Sequence, residues 1–478
     1  MKKSLLDIMG VKKAQSILSG MVDGKAAAPK LSAEELMTDY GNAQRFIFQH
    51  RDKVFYAHEE GVWYAWNSIN WQKDDSEQVV QLAHETAKSI AGEADRLPKH
   101  DERTALKGWG STSLGRPRIK AMLDFAKSYL TKRLDELDTH RYLLNVRNGT
   151  VDLASGMLLP HDRTNMITKL VPVIYNPEAQ CPQWLSFLQV IFDGKEELIK
   201  YVQKMLGYCL TGDLSEKCFF ILYGPEGDNG KTVMMNTIMA ILKDYATQTP
   251  TDTLLKRKPG AHSNDLVRIK GARLVQAAEA SESYSFDEPL VKRLTGDDPV
   301  TARMLYKEYI TFYPECKIVL ATNSIPRFKG DDKAFAKRIK VIPFLVSIPV
   351  EQQDTQLKEK LLSEKEGILN WLVQGCKLWH VERLGSISNE VDPVCEDTLL
   401  DTVKLFIENK CIVDPEATES TSTLYDSYVE YVNASYPELQ IPVLATYGTL
   451  LTDLGYKSGH ARQGNYRIGI RLSVDTAN

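Results

Sequence analysis

A glycine-rich turn between an apolar run and a helical pattern is the strongest chemical signal in this 478-residue chain. Glycines let main-chain N–H groups close on phosphate oxygens, a lysine there reaches the β and γ oxygens, and a threonine hydroxyl binds Mg²⁺. The turn encloses five residues between its outer glycines, one more than the usual spacing. The sequence predicts an ATP site at Gly224, Pro225, Gly227, Asp228, Asn229, Gly230, Lys231 and Thr232.

Two later apolar runs end in polar side chains that suit hydrolysis. Glu279 follows Leu274–Ala278, so it is expected at the carboxyl edge of a parallel sheet, where it would hold Mg²⁺ together with Thr232. Glu282 is a second carboxylate, equally consistent with the start of a helix. Asn323 ends a third apolar run, and an amide there can orient the attacking water. We therefore predict Lys231, Glu279 and Asn323 as catalytic residues.

A basic side chain beyond the third run is a candidate arginine finger. Arg338 precedes the apolar segment Ile339–Pro343. Arginine keeps its charge and offers a planar fork to phosphate oxygens, which favours Arg338 over its neighbour Lys337. Lys333 and Lys340 fit a solvated basic face better.

The charge distribution supports a localised phosphate or nucleic-acid surface. The chain carries a formal net charge of −4, but residues 251–345 contain 17 Lys and Arg against 12 Asp and Glu.

The composition excludes a disordered or low-complexity protein. No apolar run approaches the roughly 18 residues that a membrane span needs, and no C-x-x-C pair is present. We expect no membrane association and a cytoplasmic location.

The order of the patterns predicts the elements that position these residues. Short aromatic strands, a helix over about 76–97, a basic and turn-rich segment over 99–120 and a hairpin at Asn148-Gly149 come first. Helical periodicity follows, and strands then alternate with helices over 218–346, as in a parallel sheet. The final eighty residues indicate three helices and then a strand pair at 465–472. The predicted domains are a mobile arm (1–30), an α+β domain (31–170), a helical collar-like segment (171–212), an ATPase domain (213–385), a linker (386–397) and a winged-helix-like domain (398–478).

These motifs, in this order, resemble superfamily 3 helicases, and in particular the helicase portion of phage, plasmid and poxvirus primase–helicases. Three further stretches are similar to that family. They are the segment that leads to Leu206-Gly207-Tyr208-Cys209-Leu210-Thr211-Gly212, the run Lys292–Arg303, and Leu320-Ala321-Thr322-Asn323. The likeness covers roughly residues 140–478 and weakens after 385.

The resemblance implies an α/β fold with an AAA+-like P-loop ATPase core, and a hexameric ring that translocates on single-stranded DNA, usually 3′ to 5′, using ATP and Mg²⁺. It also implies a β-hairpin over about 302–312 that enters the ring channel, with Arg303, Tyr306 and Lys307 as DNA-binding residues. A lysine beside an aromatic ring suits this role, because charge follows phosphates and a ring stacks on a base.

Three functions stay open at this point. The first is a replicative helicase of a phage, plasmid or mobile genomic island, acting on single-stranded and forked DNA. The others are an origin-binding initiator controlled by ATP, and a protein remodeller. Primase activity is not expected, because the early acidic pairs Glu59-Glu60 and Asp74-Asp75 lie in turns and form no Asp-x-Asp pattern. A separate primase or other replication proteins are then the expected partners.

Overall fold

A computed structural model describes most of the chain. The chain divides into two compact units, Met1–Tyr175 and Asn176–Asn478. The described residues are 35, 37–255, 264–278, 286–303, 309–323, 333–386, 396–435, 441–461 and 464–473. The predicted arm, 1–30, lies outside them. Among the described residues, no helix combines the length and the apolarity that a bilayer crossing requires.

The N-terminal unit combines four helices of the described chain with two small sheets. Its helices are α1 (Asp39–His50), α2 (Gln78–Ala94), α3 (His100–Ser113) and α4 (Arg116–Lys127). Its strands are β1 (Val54–Ala57), β2 (Val62–Trp66), β3 (Trp71–Lys73), β4 (Thr131–Lys132), β5 (Leu143–Val146), β6 (Gly149–Asp152) and β7 (Met157–Leu159). The Thr38 hydroxyl caps α1 by accepting the Gly41 N–H at 2.9 Å. Phe46, Ala83 and Met122 are fully buried in the core that joins α1, α2 and α4.

The sequence prediction for the basic segment 99–120 is wrong, because helices α3 and α4 occupy it. Gly110 lies inside α3, where a Cβ atom would come within 3.3 Å of the Ile90 side chain on α2. This glycine therefore serves close helix packing and not a turn. Gly115 is the N-cap of α4 and Pro117 lies in its first turn, where proline is tolerated.

The predicted short aromatic strands and the hairpin at Asn148-Gly149 are confirmed. Strands β3-β2-β1-β4 form one sheet in that order, with antiparallel pairing from β1 to β3. Val146 and Gly149 pair across the Asn148-Gly149 turn, so β5 and β6 form the expected hairpin, which β7 extends. The helix predicted over about 76–97 corresponds to α2.

The C-terminal unit is built on a parallel sheet, as the strand–helix alternation predicts. Five strands of the described chain take part, in the order β14-β8-β13-β10-β9. They are β8 (Phe219–Tyr223), β9 (Ala246–Pro250), β10 (Leu274–Ala278), β13 (Lys317–Thr322) and β14 (Ile339–Pro343). β13 lies between β8 and β10 and is parallel to both, so the carboxyl ends of these three strands share one edge. The fold is therefore mixed α/β with a parallel sheet.

Helices and a separate strand pair surround this sheet. The helices are α5 (Pro182–Ile191), α6 (Glu196–Tyr208), α7 (Lys231–Leu242), α8 (Asn264–Ile269), α9 (Glu288–Leu294), α10 (Lys333–Ala336), α11 (Leu357–Ser363) and α12 (Lys365–Glu382). α6 and α12 pack with their backbones in close contact, because a Cβ atom on Gly207 would overlap the main chain at Cys376. β11 (Val300–Arg303) and β12 (Tyr309–Phe312) are antiparallel, as expected for the two arms of the predicted hairpin.

The last part of the chain contains a strand that the sequence reading missed. Its elements are α13 (Glu396–Lys410), β15 (Cys411–Ser420), α14 (Thr421–Ser435), α15 (Leu444–Asp453), β16 (Ser458–Ala461) and β17 (Gly464–Leu472). Strands β15-β17-β16 form one sheet in that order. β15 contains Asp414, Pro415, Glu416 and Glu419, residue types that are depleted in strands, and a register irregularity lies between Val413 and Thr418.

Candidate functional site

The order of the strands places three sequence motifs side by side at the carboxyl edge of the sheet. Tyr223, the last residue of β8, pairs with Thr322, the last residue of β13. The Gly224 N–H continues this pairing by donating to the Thr322 carbonyl oxygen at 3.3 Å. The glycine-rich loop (residues 224–230) therefore begins beside Asn323. β10 ends on the other side of β13, with Ala278 opposite Ala321.

Lys231 is the centre of a hydrogen-bond network that joins the loop to β13. Its Nζ atom donates to the Gly224 carbonyl oxygen at 2.9 Å, to Asn229 Oδ1 at 3.0 Å and to Asn323 Oδ1 at 2.9 Å. The lysine is the first residue of α7 and is buried. Burial lowers the pKa of its ammonium group, because desolvation disfavours the charged form. The structure thus brings together Lys231, Asn229 and Asn323.

Two glycines of the loop are required by close contacts. A Cβ atom on Gly224 would lie 2.6 Å from Lys231 Nζ and 2.8 Å from the Phe344 carbonyl oxygen. Gly230 has a φ of +80°, and its Cβ would lie 2.6 Å from the Ile191 side chain on α5. A larger residue at either position would displace the lysine or α5. Gly227 has open space around it.

The segment after β14 supports the loop from one side. The Asn229 side-chain amide donates to the Val346 carbonyl oxygen at 3.0 Å. The Ile348 N–H donates to the Asp228 carbonyl oxygen at 3.1 Å. Sequence reasoning missed this support, because main-chain partners leave no signature in the residue types at 346 and 348.

The loop presents main-chain donors to its surroundings. Within the described residues, the N–H groups of 226–230 donate to no protein acceptor. Pro225, Gly227, Asp228 and the first-turn residue Thr232 are exposed. N–H donors around a buried ammonium group, at the first turn of α7, favour an anion with several oxygens. A hydroxyl at Thr232 is a suitable ligand for a hard cation.

Arg338 lies at the opposite edge of the same sheet. It directly precedes β14, whose first residue pairs with Phe219 at the start of β8. Its guanidinium donates to Thr295 Oγ1 at 2.8 Å and to the Lys292 carbonyl oxygen at 3.3 Å, at the end of α9. The structure therefore does not bring Arg338 to Lys231 within one chain. Lys337 is exposed.

Several predicted site residues lie outside the described residues, namely Glu279, Glu282, Tyr306 and Lys307. Arg303 is described and is exposed on β11, with its guanidinium 5.1 Å from the centre of the Tyr309 ring. No group of three or more His, Cys, Asp or Glu side chains in the described ranges could hold a metal ion.

Comparisons with known proteins identify relatives of two parts of the chain. Residues 43–193 match the family model described as "D5 N terminal like", and residues 222–338 match "Family of unknown function (DUF5906)". "Putative helicase L207/L206" of Acanthamoeba polyphaga mimivirus is 27% identical over an alignment of 358 residues, and the match covers 66% of this chain and 37% of that protein. "Putative helicase 022R" of Frog virus 3 is 26% identical over an alignment of 313 residues, and the match covers 60% of this chain and 30% of that protein.

Solved structures also include a similar chain. "The apo structure of NrS-1 C terminal region" covers 92% of this chain and 100% of its own length, with 11% identity and a TM-score of 0.43. The present chain spans about a third of the length of the two curated relatives. The resemblance to the helicase portion of phage- and poxvirus-type primase–helicases, first inferred from the motifs, is confirmed.

Proposed function

We propose that this chain, which resembles the helicase portion of phage- and poxvirus-type primase–helicases, is an ATP-driven DNA helicase of superfamily 3. The observation that carries the proposal is the hydrogen-bonded position of Lys231, between the glycine-rich loop and Asn323 at the end of the neighbouring strand. A loop with outward main-chain donors supplies the positive field for a triphosphate, and an amide beside the lysine is suited to sense its terminal phosphate.

The residues of the loop fit ATP and Mg²⁺ by their donor chemistry. ATP supplies the phosphoanhydride bond whose hydrolysis drives movement, and Mg²⁺ neutralises its oxygens. Lys231 would leave its contact with the Gly224 carbonyl oxygen and bind the β and γ oxygens. Thr232 would offer its hydroxyl to the cation, with Glu279 as the proposed carboxylate ligand and base. Asn323 would orient the attacking water.

A ring-shaped homo-oligomer, most simply a hexamer, is the assembly that we propose. Arg338 and the loop lie at opposite ends of β8 and β14, and five strand residues span about 13–17 Å. This separation supports delivery of the guanidinium to the nucleotide of a neighbouring subunit. Contacts of this head-to-tail kind close only as a ring. Thr295 and the Lys292 carbonyl would hold the guanidinium until a neighbour is present.

Single-stranded and forked DNA are the proposed substrates, with translocation 3′ to 5′ during replication of a phage, plasmid or mobile genomic island. The antiparallel arms β11 and β12 support a hairpin that reaches DNA through Arg303, Tyr306 and Lys307. Arg303 is exposed on one arm. Primase activity would belong to a separate protein.

An ATP-controlled initiator is the second candidate, because one observation favours it. The order helix, strand, helix, helix, strand, strand in the part from α13 to β17 is that of a winged helix, a fold that often binds duplex DNA. However, α15 (Leu444–Asp453), the third of these helices, contains no Lys or Arg. A helix without cations is poorly suited to the phosphate contacts that orient a protein on DNA.

The test compares hydrolysis and unwinding in one preparation. We expect single-stranded DNA to stimulate ATP hydrolysis, and forked DNA with a 3′ tail to be unwound faster than a fork with a 5′ tail only. Native mass measurement would report the ring size. Stimulation by an unfolded protein client in place of DNA would contradict the helicase and support a remodeller. Tight binding to one duplex sequence without unwinding would support the initiator.

A further inference from the structure

The side chain of Asn229 is enclosed by the glycine-rich loop, and only 3% of the surface of this residue is exposed. Its Oδ1 atom accepts the Lys231 ammonium at 3.0 Å, and its Nδ2 atom donates to the Val346 carbonyl oxygen at 3.0 Å. A Cβ atom on Gly224 would lie 2.8 Å from the same Oδ1 atom, so the loop closes tightly around this amide. The amide therefore joins Lys231 to the segment that follows β14.

These two partners demand a side-chain amide at position 229. An ammonium group can only donate and a carbonyl oxygen can only accept, so the group between them must offer one acceptor and one donor. A carboxylate would turn a second acceptor toward the Val346 carbonyl oxygen, whereas an apolar side chain of similar volume would leave both partners unsatisfied. Asparagine supplies both atoms on one short planar group, and the two partners determine its orientation.

The three acceptors of the Lys231 ammonium differ in how firmly they are held. The Gly224 carbonyl oxygen, Asn229 Oδ1 and Asn323 Oδ1 take up the three N–H donors of the group, and all three acceptors are uncharged. Phosphate oxygens can replace such a partner, because a hydrogen bond between two charged groups is stronger than one to a neutral oxygen. Asn323 is exposed, whereas Asn229 is buried and anchored at its other end. The anchored amide is therefore the partner best suited to keep the ammonium in place during an exchange.

The main chain on both sides of Val346 is hydrogen-bonded to the chain that forms the loop, which fixes the anchor. The Phe344 N–H donates to the Tyr223 carbonyl oxygen at 2.6 Å, directly before the loop. The Ile348 N–H donates to the Asp228 carbonyl oxygen at 3.1 Å, within the loop. The position of the amide, and through it that of the lysine, is therefore set by main-chain hydrogen bonds.

We propose that Asn229 is a positioning residue, whose side chain acts on the nucleotide through Lys231 and not by direct contact. The amide holds the ammonium in place while Lys231 exchanges the Gly224 carbonyl oxygen for phosphate oxygens. Both polar atoms of the Asn229 side chain have protein partners and the residue is buried, so this side chain contacts the protein and not a ligand. The inference rests on the proposed function, because it assigns a further role within the same site.

The test measures the affinity of the full chain for adenylyl-imidodiphosphate, a triphosphate analogue that is not hydrolysed, and for ADP, each with Mg²⁺. Main-chain donors of such a loop hold the α and β phosphates, whereas the lysine reaches the β and γ phosphates. Asn229→Leu should weaken binding of the analogue about 10- to 150-fold, the worth of one hydrogen bond to a charged group, and binding of ADP at most about 3-fold. A residue that only shaped the loop would affect both nucleotides alike.

A double-mutant cycle with Lys231→Ala tests whether Asn229 acts through the lysine. In the Lys231→Ala background, Asn229→Leu should change the affinity for the analogue by no more than about 2-fold, because the group that it positions is gone, whereas independent effects would multiply. Ser347→Ala is the matched control, since it removes a 3.4 Å contact with the Gly227 carbonyl oxygen and leaves Lys231 untouched. It should bind both nucleotides like the wild type. Asn229→Ala, which leaves room for water at both partners, replaces the leucine variant if thermal unfolding shows that the latter does not fold.

Equal weakening of the two nucleotides by the change at Asn229 would overturn the inference and would assign the residue to the shape of the loop. Multiplication of the two effects in the double variant would overturn it as well. Wild-type affinity of the Asn229 variants, together with loss of the analogue in Lys231→Ala, would contradict this inference alone. Wild-type affinity of Lys231→Ala would show that the loop is not the nucleotide site, and the proposed function would then fail first.

Discussion

One buried lysine lies at the carboxyl ends of the parallel strands and another lies at their amino ends. The two lysines differ in their hydrogen-bond partners. At the carboxyl edge, Lys231 donates to one loop carbonyl and to the side-chain amides of Asn229 and Asn323. At the amino edge, and within the part of the chain that the structure describes, Lys317 donates to the Thr211 hydroxyl oxygen and to three main-chain carbonyls. These carbonyls belong to Thr211, Asp213 and Glu315.

The difference shows that burial and a lowered pKa do not by themselves mark a functional lysine. Desolvation lowers the pKa of both groups, and that of Lys317 falls to about 8. Lys317 also lies 4.7 Å from the centre of the Tyr208 ring, in a fully packed environment. Lys231 instead borders an exposed loop whose N–H groups at 226–230 have no protein acceptor among the described residues. The neighbouring exposed loop and the side-chain amide partners therefore distinguish Lys231, the lysine that we propose to bind nucleotide, from Lys317.

The largest effect is expected at the amino edge, from Arg338. A finger that stabilises charge on the transferring phosphoryl group is worth about 10³–10⁵ in rate in GTPases. Arg338→Ala should therefore bind ATP but hydrolyse it about 10³–10⁵ times more slowly. Measurement of nucleotide binding and steady-state hydrolysis on the same preparation checks this. Lys337→Ala is the matched control and should stay within a few-fold of the wild type.

A mixing experiment decides whether Arg338 acts across subunits. Rings assembled from Arg338→Ala and Lys231→Ala subunits should recover partial hydrolysis, because some interfaces then pair an intact loop with an intact arginine. If mixed rings form and hydrolysis does not recover, Arg338 serves only to hold α9 through Thr295. The amino edge would then be structural throughout.

Lys231 is expected to have the next largest effect. Removal of one preorganised donor to a developing charge costs about 10²–10³ in rate. Lys231→Ala should lose hydrolysis by at least this factor, with unfolding unchanged within about 1 kcal/mol, because its amide partners can turn to water. Hydrolysis assays and thermal unfolding check the two parts. Near wild-type turnover would exclude the loop as the nucleotide site.

Most of the carboxyl edge could be predicted from sequence, whereas the burial of Lys317 at the amino edge could not. Gly224, Lys231 and Asn323 follow apolar strands, and these residue types at such positions have few explanations other than a phosphate site. The alternation of strands and helices then predicts that the three residues lie together at the carboxyl edge of the sheet. Lys317 opens an apolar strand and gives no sign of burial, because its partners are main-chain carbonyls. The strand β15 was also missed. Its polar residues do not indicate a strand, and it is a strand because it pairs with β17.

The helices α3 and α4 were mistaken for turns because a glycine can serve close packing. In the sequence, Gly110 looks like a helix breaker. In the structure, this glycine lets α3 pack closely against Ile90 on α2. Tertiary contact overrides local propensity here. Glu279, Tyr306 and Lys307 lie outside the described residues, so their roles stay predictions.

A smaller, purely structural effect is expected from Lys317. Lys317→Met leaves buried carbonyl oxygens without a donor, which costs about 1–3 kcal/mol for each unsatisfied group, offset in part by removal of a desolvated charge. Chemical denaturation should show a loss of about 1–3 kcal/mol, with nucleotide affinity of the folded protein unchanged. Lys317→Arg, which keeps the charge, and Lys340→Met on the half-exposed face of β14 serve as controls. A loss of nucleotide affinity without a loss of stability would contradict the structural role of Lys317 and would place it in the nucleotide site.

The smallest effect is the pH dependence that Lys317 gives to stability. Its pKa is about 8 in the folded chain and about 10.5 in an ordinary environment, so between these values the unfolded chain binds more protons. The free energy of unfolding must therefore rise with pH in this window. Below pH 8 both states are protonated and the full cost of burying the charge is present. From pH 8 to 9.5 the wild type should gain about 1–2 kcal/mol relative to Lys317→Met, measured by urea denaturation at each pH. A flat difference would mean that the carbonyl oxygens hold Lys317 fully charged, and the contrast between the two lysines would then rest on ligand access alone.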